Sequence, residues 1–123
     1  MGYDKRIYAA VNDELAQRRY QASLQAQSHL EEVYQKIPEI RQIDRQLSMT
    51  GISVARAVIQ HEQSHQIIEQ LRRQNLDLQQ RRAFLLQQHG YPSDYTEEHY
   101  HCSRCKDTGV VGRKRCDCYE SLL

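Results

Sequence analysis

The segment HCSRCKDTGVVGRKRCDC, His101–Cys118, contains every cysteine of this 123-residue chain. The thiols follow the spacing C-x2-C-x10-C-x-C. A C-x2-C pair places two sulfurs on one side of a tight turn, which suits a tetrahedral metal ion. Val110 and Val111 favour a strand, and the glycines beside them favour turns, so a short β-hairpin can return the second pair to the first. The four candidate ligands are Cys102, Cys105, Cys116 and Cys118.

Four thiolates form a closed ligand set, and we therefore expect one structural Zn²⁺ rather than a catalytic ion, which keeps a water as a ligand. Two disulfides, a thioredoxin-like redox pair and an iron–sulfur cluster are the competing interpretations. A redox pair requires a C-x-x-C near a βαβ unit, and the sequence shows no such unit. His99 and His101 are near enough in sequence to replace one cysteine, but the four thiols already complete a ligand set.

Five cationic side chains lie among or beside the cysteines. They are Arg104, Lys106, Arg113, Lys114 and Arg115. One interpretation is that they offset the charge of about −2 that results when four thiolates bind Zn²⁺. The other is that they form a basic face for phosphate groups or for an acidic protein surface. The sequence leaves both interpretations open, and these residues are candidates for contact with a partner.

The overall charge is nearly balanced, with 17 basic and 16 acidic residues and a net charge of +1. This balance argues against a dedicated nucleic-acid coat or a polybasic membrane-binding protein. No apolar run approaches the roughly 20 residues that a membrane span needs, and the N-terminus lacks the apolar core of a secretory signal. We therefore expect a cytoplasmic protein, in which clustered thiols more often bind metals than form disulfides.

The residues before the cysteine segment have the pattern of helices. Residues 3–36 contain no glycine or proline, and their apolar side chains recur mostly every three, four or seven residues. They predict one long amphipathic helix. Pro38 fits the first turn of a second helix, and Ser48–Gly51 indicates its end, so we expect a short helix over 38–48.

A third helix is predicted over 52–89, which again lacks glycine and proline. Its apolar residues form a heptad seam with polar residues at Asn75 and Arg82, and Gly90 followed by a proline predicts its end. Stripes this thin do not stabilise isolated helices. We therefore expect a mostly α fold, in which 3–36 and 52–89 form a long antiparallel helical hairpin with the short helix near its turn.

The expected elements divide the chain into a helical hairpin region over 1–90, a linker over 91–101 and a zinc-binding module over 102–118. Motifs for nucleotide chemistry are missing, since there is neither a phosphate-binding GxxxxGK[ST] loop nor a glycine-rich dinucleotide turn. The stretch HEQSH, His61–His65, superficially matches the HExxH motif of metalloproteases. A thin helical hairpin offers no third ligand and no substrate cleft, so we interpret it as an exposed pair and do not expect an enzyme.

Three stretches resemble the N-terminal, zinc-containing region of bacterial and phage replicative-helicase loaders of the DnaC/DnaI type. They are YHCSRCKDTGVVGRKRCDCYESLL over 100–123, YQKIPEIRQID over Tyr34–Asp44 and LLQQHGYPSDY over Leu85–Tyr95. The four cysteines match the cysteines of that family one by one. Val110 departs from the pattern, in which an aromatic residue is more frequent at this position.

The resemblance implies a function and a partner. In such loaders the helical zinc-bearing region docks on the hexameric DnaB-type replicative helicase, and an AAA+ ATPase that binds ATP and single-stranded DNA follows it. Residues 119–123 would then begin the linker to an ATPase domain that lies outside this sequence. No ATPase activity is expected of residues 1–123 themselves.

We therefore expect a helicase-binding adaptor module. Its candidate contact residues are the five cations of the cysteine segment together with Tyr34, Ile37 and Ile40. The alternatives are a zinc-dependent nucleic-acid-binding module that binds single-stranded DNA weakly, and a structural coiled-coil protein that self-associates through its helices. The nearly neutral charge favours the adaptor over the nucleic-acid-binding module, which usually has a larger basic excess.

Overall fold

The structure, a computed structural model, describes residues 3–60 and 64–123. Over these residues it contains four helices and one antiparallel pair of strands. In chain order the elements are α1 (Lys5–Lys36), α2 (Pro38–Gln60), α3 (Ser64–Gln88), β1 (Val110–Val111), β2 (Lys114–Arg115) and α4 (Asp117–Leu122). The expected fold class, mostly helical with a small C-terminal hairpin beside four cysteines, is confirmed.

The chain divides into two compact units. The first, which we call the cysteine unit, combines residues up to Ser28 with Glu97–Leu123. The second, which we call the helical unit, is the continuous stretch His29–Thr96. Helix α1 contributes residues to both.

In the helical unit, α2 and α3 form an antiparallel hairpin. Arg81 and Arg82 near the end of α3 form ion pairs at 2.9 and 2.6 Å with carboxylates near the start of α2. The carboxylates are those of Glu39 and Asp44. An apolar core lies at this end of the hairpin, where the last turns of α1 join it. Its buried members are Val33, Ile37, Ile40, Ile43, Leu85 and Leu86.

Helix α2 is longer than expected, and the predicted end at Ser48–Gly51 is wrong. The helix continues through Gly51 to Gln60. A glycine inside a helix costs only about 1 kcal/mol relative to alanine, and packing of the helix on either side of it against α3 offsets that cost. The prediction of one helix over 52–89 is therefore also wrong. The first part of that range belongs to α2, and α3 begins at Ser64. The hairpin partner of α3 is therefore α2 rather than α1.

Helix α3 ends where the sequence predicted. Gly90 has φ +85°, a left-handed conformation that costs glycine little and other residues more. The N–H of Tyr91 donates to the carbonyl of Leu86 at 2.9 Å, and the N–H of Gly90 donates to the carbonyl of Gln87 at 3.0 Å. These bonds satisfy carbonyl groups that the helix end would otherwise leave without a partner.

The segment after Gly90, expected to be a linker, packs against the helical core through Tyr91 and Tyr95. Both phenol groups donate to the carboxylate of Glu32, at 2.9 and 2.8 Å. The ring of Tyr95 also stacks on His29, with ring centroids 4.0 Å apart. The carbonyl of Tyr95 lies 2.9 Å from His29 Nδ1 and accepts a hydrogen bond from it. His29 and Tyr95 thus join the two ends of the helical unit.

In the cysteine unit, the first part of α1 packs against the cysteine segment. The small apolar core consists of Val11 and Leu15 from α1 and Tyr119 from α4. Strands β1 and β2 pair antiparallel with Val110 opposite Arg115, so the expected hairpin between the cysteine pairs is present. The cysteine segment is therefore part of a core that it shares with a helix far away in sequence.

Candidate metal centre

The four thiols converge on one point. Their Sγ atoms all lie within 4.8 Å of one another. Cys102 Sγ is 3.6 Å from that of Cys116, and Cys105 Sγ is 3.3 Å from that of Cys118. Tetrahedral metal–sulfur bonds of about 2.3 Å separate the ligands by about 3.8 Å, whereas a disulfide needs about 2.05 Å. The thiols are free, and their arrangement can hold a metal ion.

A buried aspartate that the cysteine spacing does not single out fixes the first turn of this centre. Asp107 is 0% exposed. Its carboxylate accepts hydrogen bonds from the backbone N–H of Cys102 at 2.8 Å and of His101 at 3.0 Å. Its carbonyl accepts a hydrogen bond from Arg19 of α1 at 2.7 Å. Asp107 therefore holds the backbone of a ligand residue on one side and joins the turn to α1 on the other.

The turn itself has an unusual backbone. Lys106 and Asp107 both have positive φ, 55° and 59°, a left-handed conformation that non-glycine residues seldom adopt. The N–H of Lys106 donates to the carbonyl of Cys102 at 2.9 Å, and the hydroxyl of Thr108 donates to the carbonyl of Cys105 at 2.6 Å. These bonds close the turn around the first two thiols. The signal available in the sequence was an acidic residue, followed by Thr-Gly, two positions beyond a C-x2-C pair.

Gly109 is required where the turn meets the core. A Cβ at this position would lie 2.7 Å from the Tyr119 ring and 2.8 Å from Leu15 Cδ1, and its φ is +81°. Its N–H donates to Cys105 Sγ at 3.4 Å, and its carbonyl accepts from the N–H of Cys116 at 2.8 Å. Gly109 therefore connects both cysteine pairs while it allows α1 to pack closely.

The thiols influence one another's ionisation. Burial disfavours the thiolate of Cys105, but hydrogen bonds from the Cys118 thiol and the Gly109 N–H outweigh burial and lower the pKa of Cys105 to about 6. Burial, followed by the hydrogen bond with Cys105, raises the pKa of Cys118. Thiolates this close repel one another, and a bound cation removes that repulsion. The donor set therefore fits a metal ion.

The five cations of this segment are all exposed. Arg104 forms an ion pair with Asp117 at 3.0 Å. Arg115 stacks on the rings of Tyr8 and Tyr119, 4.9 and 5.0 Å from their centroids, and approaches Glu120 at 3.8 Å. Two of the five cations therefore already interact within the unit.

The other three of these cations have no ion pair with the residues that the structure describes. They are Lys106, Arg113 and Lys114.

Of the other predicted contact residues, Ile37 and Ile40 are core residues of the helical unit. They are 4% and 0% exposed, so a partner cannot reach their side chains in this fold, contrary to the prediction that they are contact residues. The reason is that the stripe they belong to packs inward against α3. Tyr34 is half-buried, and its hydroxyl donates to Asp44 at 2.6 Å, while Arg41 lies over its ring.

The histidines that the structure describes do not enlarge the metal centre. Among the described residues, His99 and His101 are not part of the cluster whose ligand atoms converge. His101 contributes only its backbone N–H, to Asp107. His61 and Glu62 of the HExxH-like stretch lie outside the described residues, and His65 is exposed near the start of α3.

No family model, no curated protein and no solved structure matches this chain. Across residues 3–60 and 64–123, none of the helices is both long and apolar enough to span a lipid bilayer.

Proposed function

We propose that this chain is a zinc-stabilised adaptor that binds a hexameric replicative helicase, as the resemblance of its cysteine and flanking segments implies. The observation that carries the proposal is the closed set of four thiols beside the core of the cysteine unit. A site with four protein ligands and two of them buried, Cys105 and Cys116, is suited to stabilising a fold. Recognition is then left to protein surfaces.

Zinc is the metal that this donor set favours. Four thiolates with sulfurs 3.3 to 3.6 Å apart in their closest pairs fit a single tetrahedral ion. A cluster of several irons with bridging sulfides needs a wider space between its thiolates. A cytoplasmic location is consistent with thiols that remain reduced. Elemental analysis should give one zinc per chain. A ratio near zero after expression in zinc-replete medium would contradict the proposed zinc site.

Nucleic-acid binding is less well supported than protein binding. Two of the five cations of the cysteine segment, Arg104 and Arg115, already interact with Asp117 and with Glu120 and tyrosine rings. The remaining cations lie beside thiolates that carry a net negative charge even with a metal bound. Salt-sensitive binding of single-stranded DNA by this chain alone would favour the alternative function.

The experiment that tests the adaptor function is co-purification of the chain with the cognate replicative helicase at micromolar concentrations. The holoprotein should elute with the helicase hexamer in size-exclusion chromatography. A matched control is the same protein after zinc removal, whose cysteine unit should no longer be folded. Absence of a complex with the folded, zinc-loaded protein would contradict the proposal.

A further inference from the structure

Helix α2 has two heptad seams on opposite sides. The first, the inner seam, recurs every three and four residues and packs towards α3. Its members are Ile40, Ile43, Leu47, Thr50, Val54 and Ala57. The second, the outer seam, has the same spacing on the other side. Its members are Arg45, Met49, Ile52, Arg56 and Ile59. At about 100° per residue, Ile52 and Val54 point in directions roughly 160° apart.

The outer seam is largely exposed, although Met49 and Arg56 also line grooves that α2 shares with α3. Its apolar side chains, Met49, Ile52 and Ile59, are 62, 56 and 75% exposed. Apolar residues at a strict heptad spacing are typical of a helix that packs against another helix along its length. Scattered exposed apolar residues need no explanation, but three in register along one helix indicate a docking face.

The two arginines determine which helix can dock there. Arg45 and Arg56 lie in the seam itself, eleven residues apart, which corresponds to about 16 Å along the axis. Neither forms an ion pair with another described residue. A helix that packs on the seam covers part of both guanidinium groups, and covering a charge is unfavourable unless an opposite charge pairs with it.

A second copy of the seam does not supply those charges. In a parallel pair, Arg45 would face its own equivalent, and like charges in a seam are unfavourable. In an antiparallel pair centred on Ile52, Arg45 would face Ile59 and Arg56 would approach Met49. Neither arrangement offers a carboxylate to either arginine.

We propose that the outer seam binds an amphipathic helix of a partner protein, whose apolar face carries two carboxylates eleven residues apart, opposite Arg45 and Arg56. This inference deepens the proposed function, on which it rests for the identity of the partner, because it names the surface and the chemistry of docking. The partner helix would pack along α2, and at Met49 and Arg56 it would reach grooves that α2 shares with α3.

The test uses a synthetic amphipathic peptide with leucine at its seam positions, except for two glutamates eleven residues apart. A second peptide has lysine in place of both glutamates. The zinc-loaded protein should bind the glutamate peptide at least about tenfold more tightly than the lysine peptide in isothermal titration calorimetry. The double variant Arg45→Glu, Arg56→Glu should reverse this preference.

Two single variants separate the seam from general hydrophobicity. Ile52→Glu should weaken binding of the glutamate peptide about tenfold or more, because a carboxylate then lies in the apolar seam opposite leucine side chains of the peptide and is covered without a partner. Leu76→Glu is the matched control, since Leu76 of α3 is 53% exposed and lies off the seam. It should change the affinity less than about twofold. Circular dichroism verifies that both exposed substitutions leave the helices folded.

Equal affinity for both peptides, or an equal loss in Leu76→Glu, would overturn the docking face. A dimer of the chain itself that Ile52→Glu dissociates would overturn the choice of occupant. The adaptor function is judged separately. If Ile52→Glu leaves helicase binding intact, the outer seam is not the docking face, but the adaptor function stands. If the protein discriminates between the peptides but binds no helicase, the docking face stands and the adaptor function is contradicted.

Discussion

The two units are stabilised by different means. The helical unit buries six apolar side chains together and has ion pairs at the edge of that core. The cysteine unit buries three large ones together, Val11, Leu15 and Tyr119. The rest of its buried interior consists of the small residues Ala22 and Gly109, two cysteines and Asp107. At about 1.5–3 kcal/mol for each buried large apolar side chain, three are too few to offset the ordering of the chain. The difference teaches that packing suffices for the helical unit, whereas the cysteine unit needs a further source of stability, which a metal ion held by its four thiols would supply.

Removal of the metal is expected to have the largest effect, and to affect one unit only. A structural zinc contributes an apparent 10–16 kcal/mol, about all of which is folding free energy. Chelation, or Cys116→Ser, should therefore unfold the cysteine unit, including α1 up to Ser28. Hydrogen exchange checks this, with loss of protection expected at Leu15 and retention at Leu86. Protection of Leu15 in the metal-free protein would show that α1 does not depend on the cysteine segment.

Truncation of the apolar core should have the next largest effect, in the other unit. Leu86 is 0% exposed, and Leu86→Ala should lower the free energy of unfolding of the helical unit by about 2–5 kcal/mol. Zinc content should stay the same. Leu76→Ala is the control, and should change stability by less than about 0.5 kcal/mol because Leu76 is exposed. Zinc loss in Leu86→Ala would show that the two units are not stabilised independently.

Loss of the Asp107 carboxylate should weaken metal binding. Asp107→Ala leaves the backbone N–H groups of His101 and Cys102 without their partner, at a cost of about 1–3 kcal/mol. Because this interaction positions a ligand residue, zinc affinity measured by competition with a chelator should fall about 10- to 100-fold. Asp117→Ala removes a nearby carboxylate that is exposed and should leave the affinity almost unchanged. Equal losses of zinc affinity in both variants would show that Asp107 acts only through its negative charge and not through its hydrogen bonds to the backbone.

The smallest expected effect is a pH dependence in the helical unit. Burial, and then the hydrogen bond to Asp44, raise the pKa of Tyr34 from 10.0 to about 12. A raised pKa means that the folded state holds this proton more tightly than the unfolded state. The resulting stability is fully present below pH 10 and is lost as pH rises towards 12.

The measurement for Tyr34 is urea unfolding of the helical unit, followed across that pH range. Tyr34→Phe cannot ionise, so its stability should fall less steeply than that of the wild type. Tyr20→Phe, at an exposed position of α1, should follow the wild-type profile. Identical slopes for all three proteins would show that Tyr34 ionises equally in both states.

The sequence predicted those features that depend on local chemistry. The ligand spacing, the hairpin between the cysteine pairs and the glycine that ends α3 each rest on the conformational preferences of a few neighbouring residues. The length of α2 could not be predicted in this way, because Gly51 ends or continues a helix according to what packs beside it. Contacts with α3 decide that question, and they are made by residues distant in sequence.

The same limit explains why the burial of several residues could not be predicted from the sequence. Asp107 looks like an ordinary turn residue until Arg19 is seen at its carbonyl. Ile37 and Ile40 fit a surface or a core equally well by their spacing. They are buried because Leu85 and Leu86 of α3 pack in the same core.

The stacked pair His29 and Tyr95 has a consequence for the order of folding. The cysteine unit is assembled from two pieces of chain, and the whole of the helical unit is inserted between them. Closing a long flexible loop costs entropy that grows by about 0.6 kcal/mol with each doubling of its length. Once the helical unit has folded, its two ends are joined at 2.9 Å, and the loop to be closed becomes a short one. Folding of the helical unit should therefore lower the entropy cost of bringing together the two separated pieces of the cysteine unit.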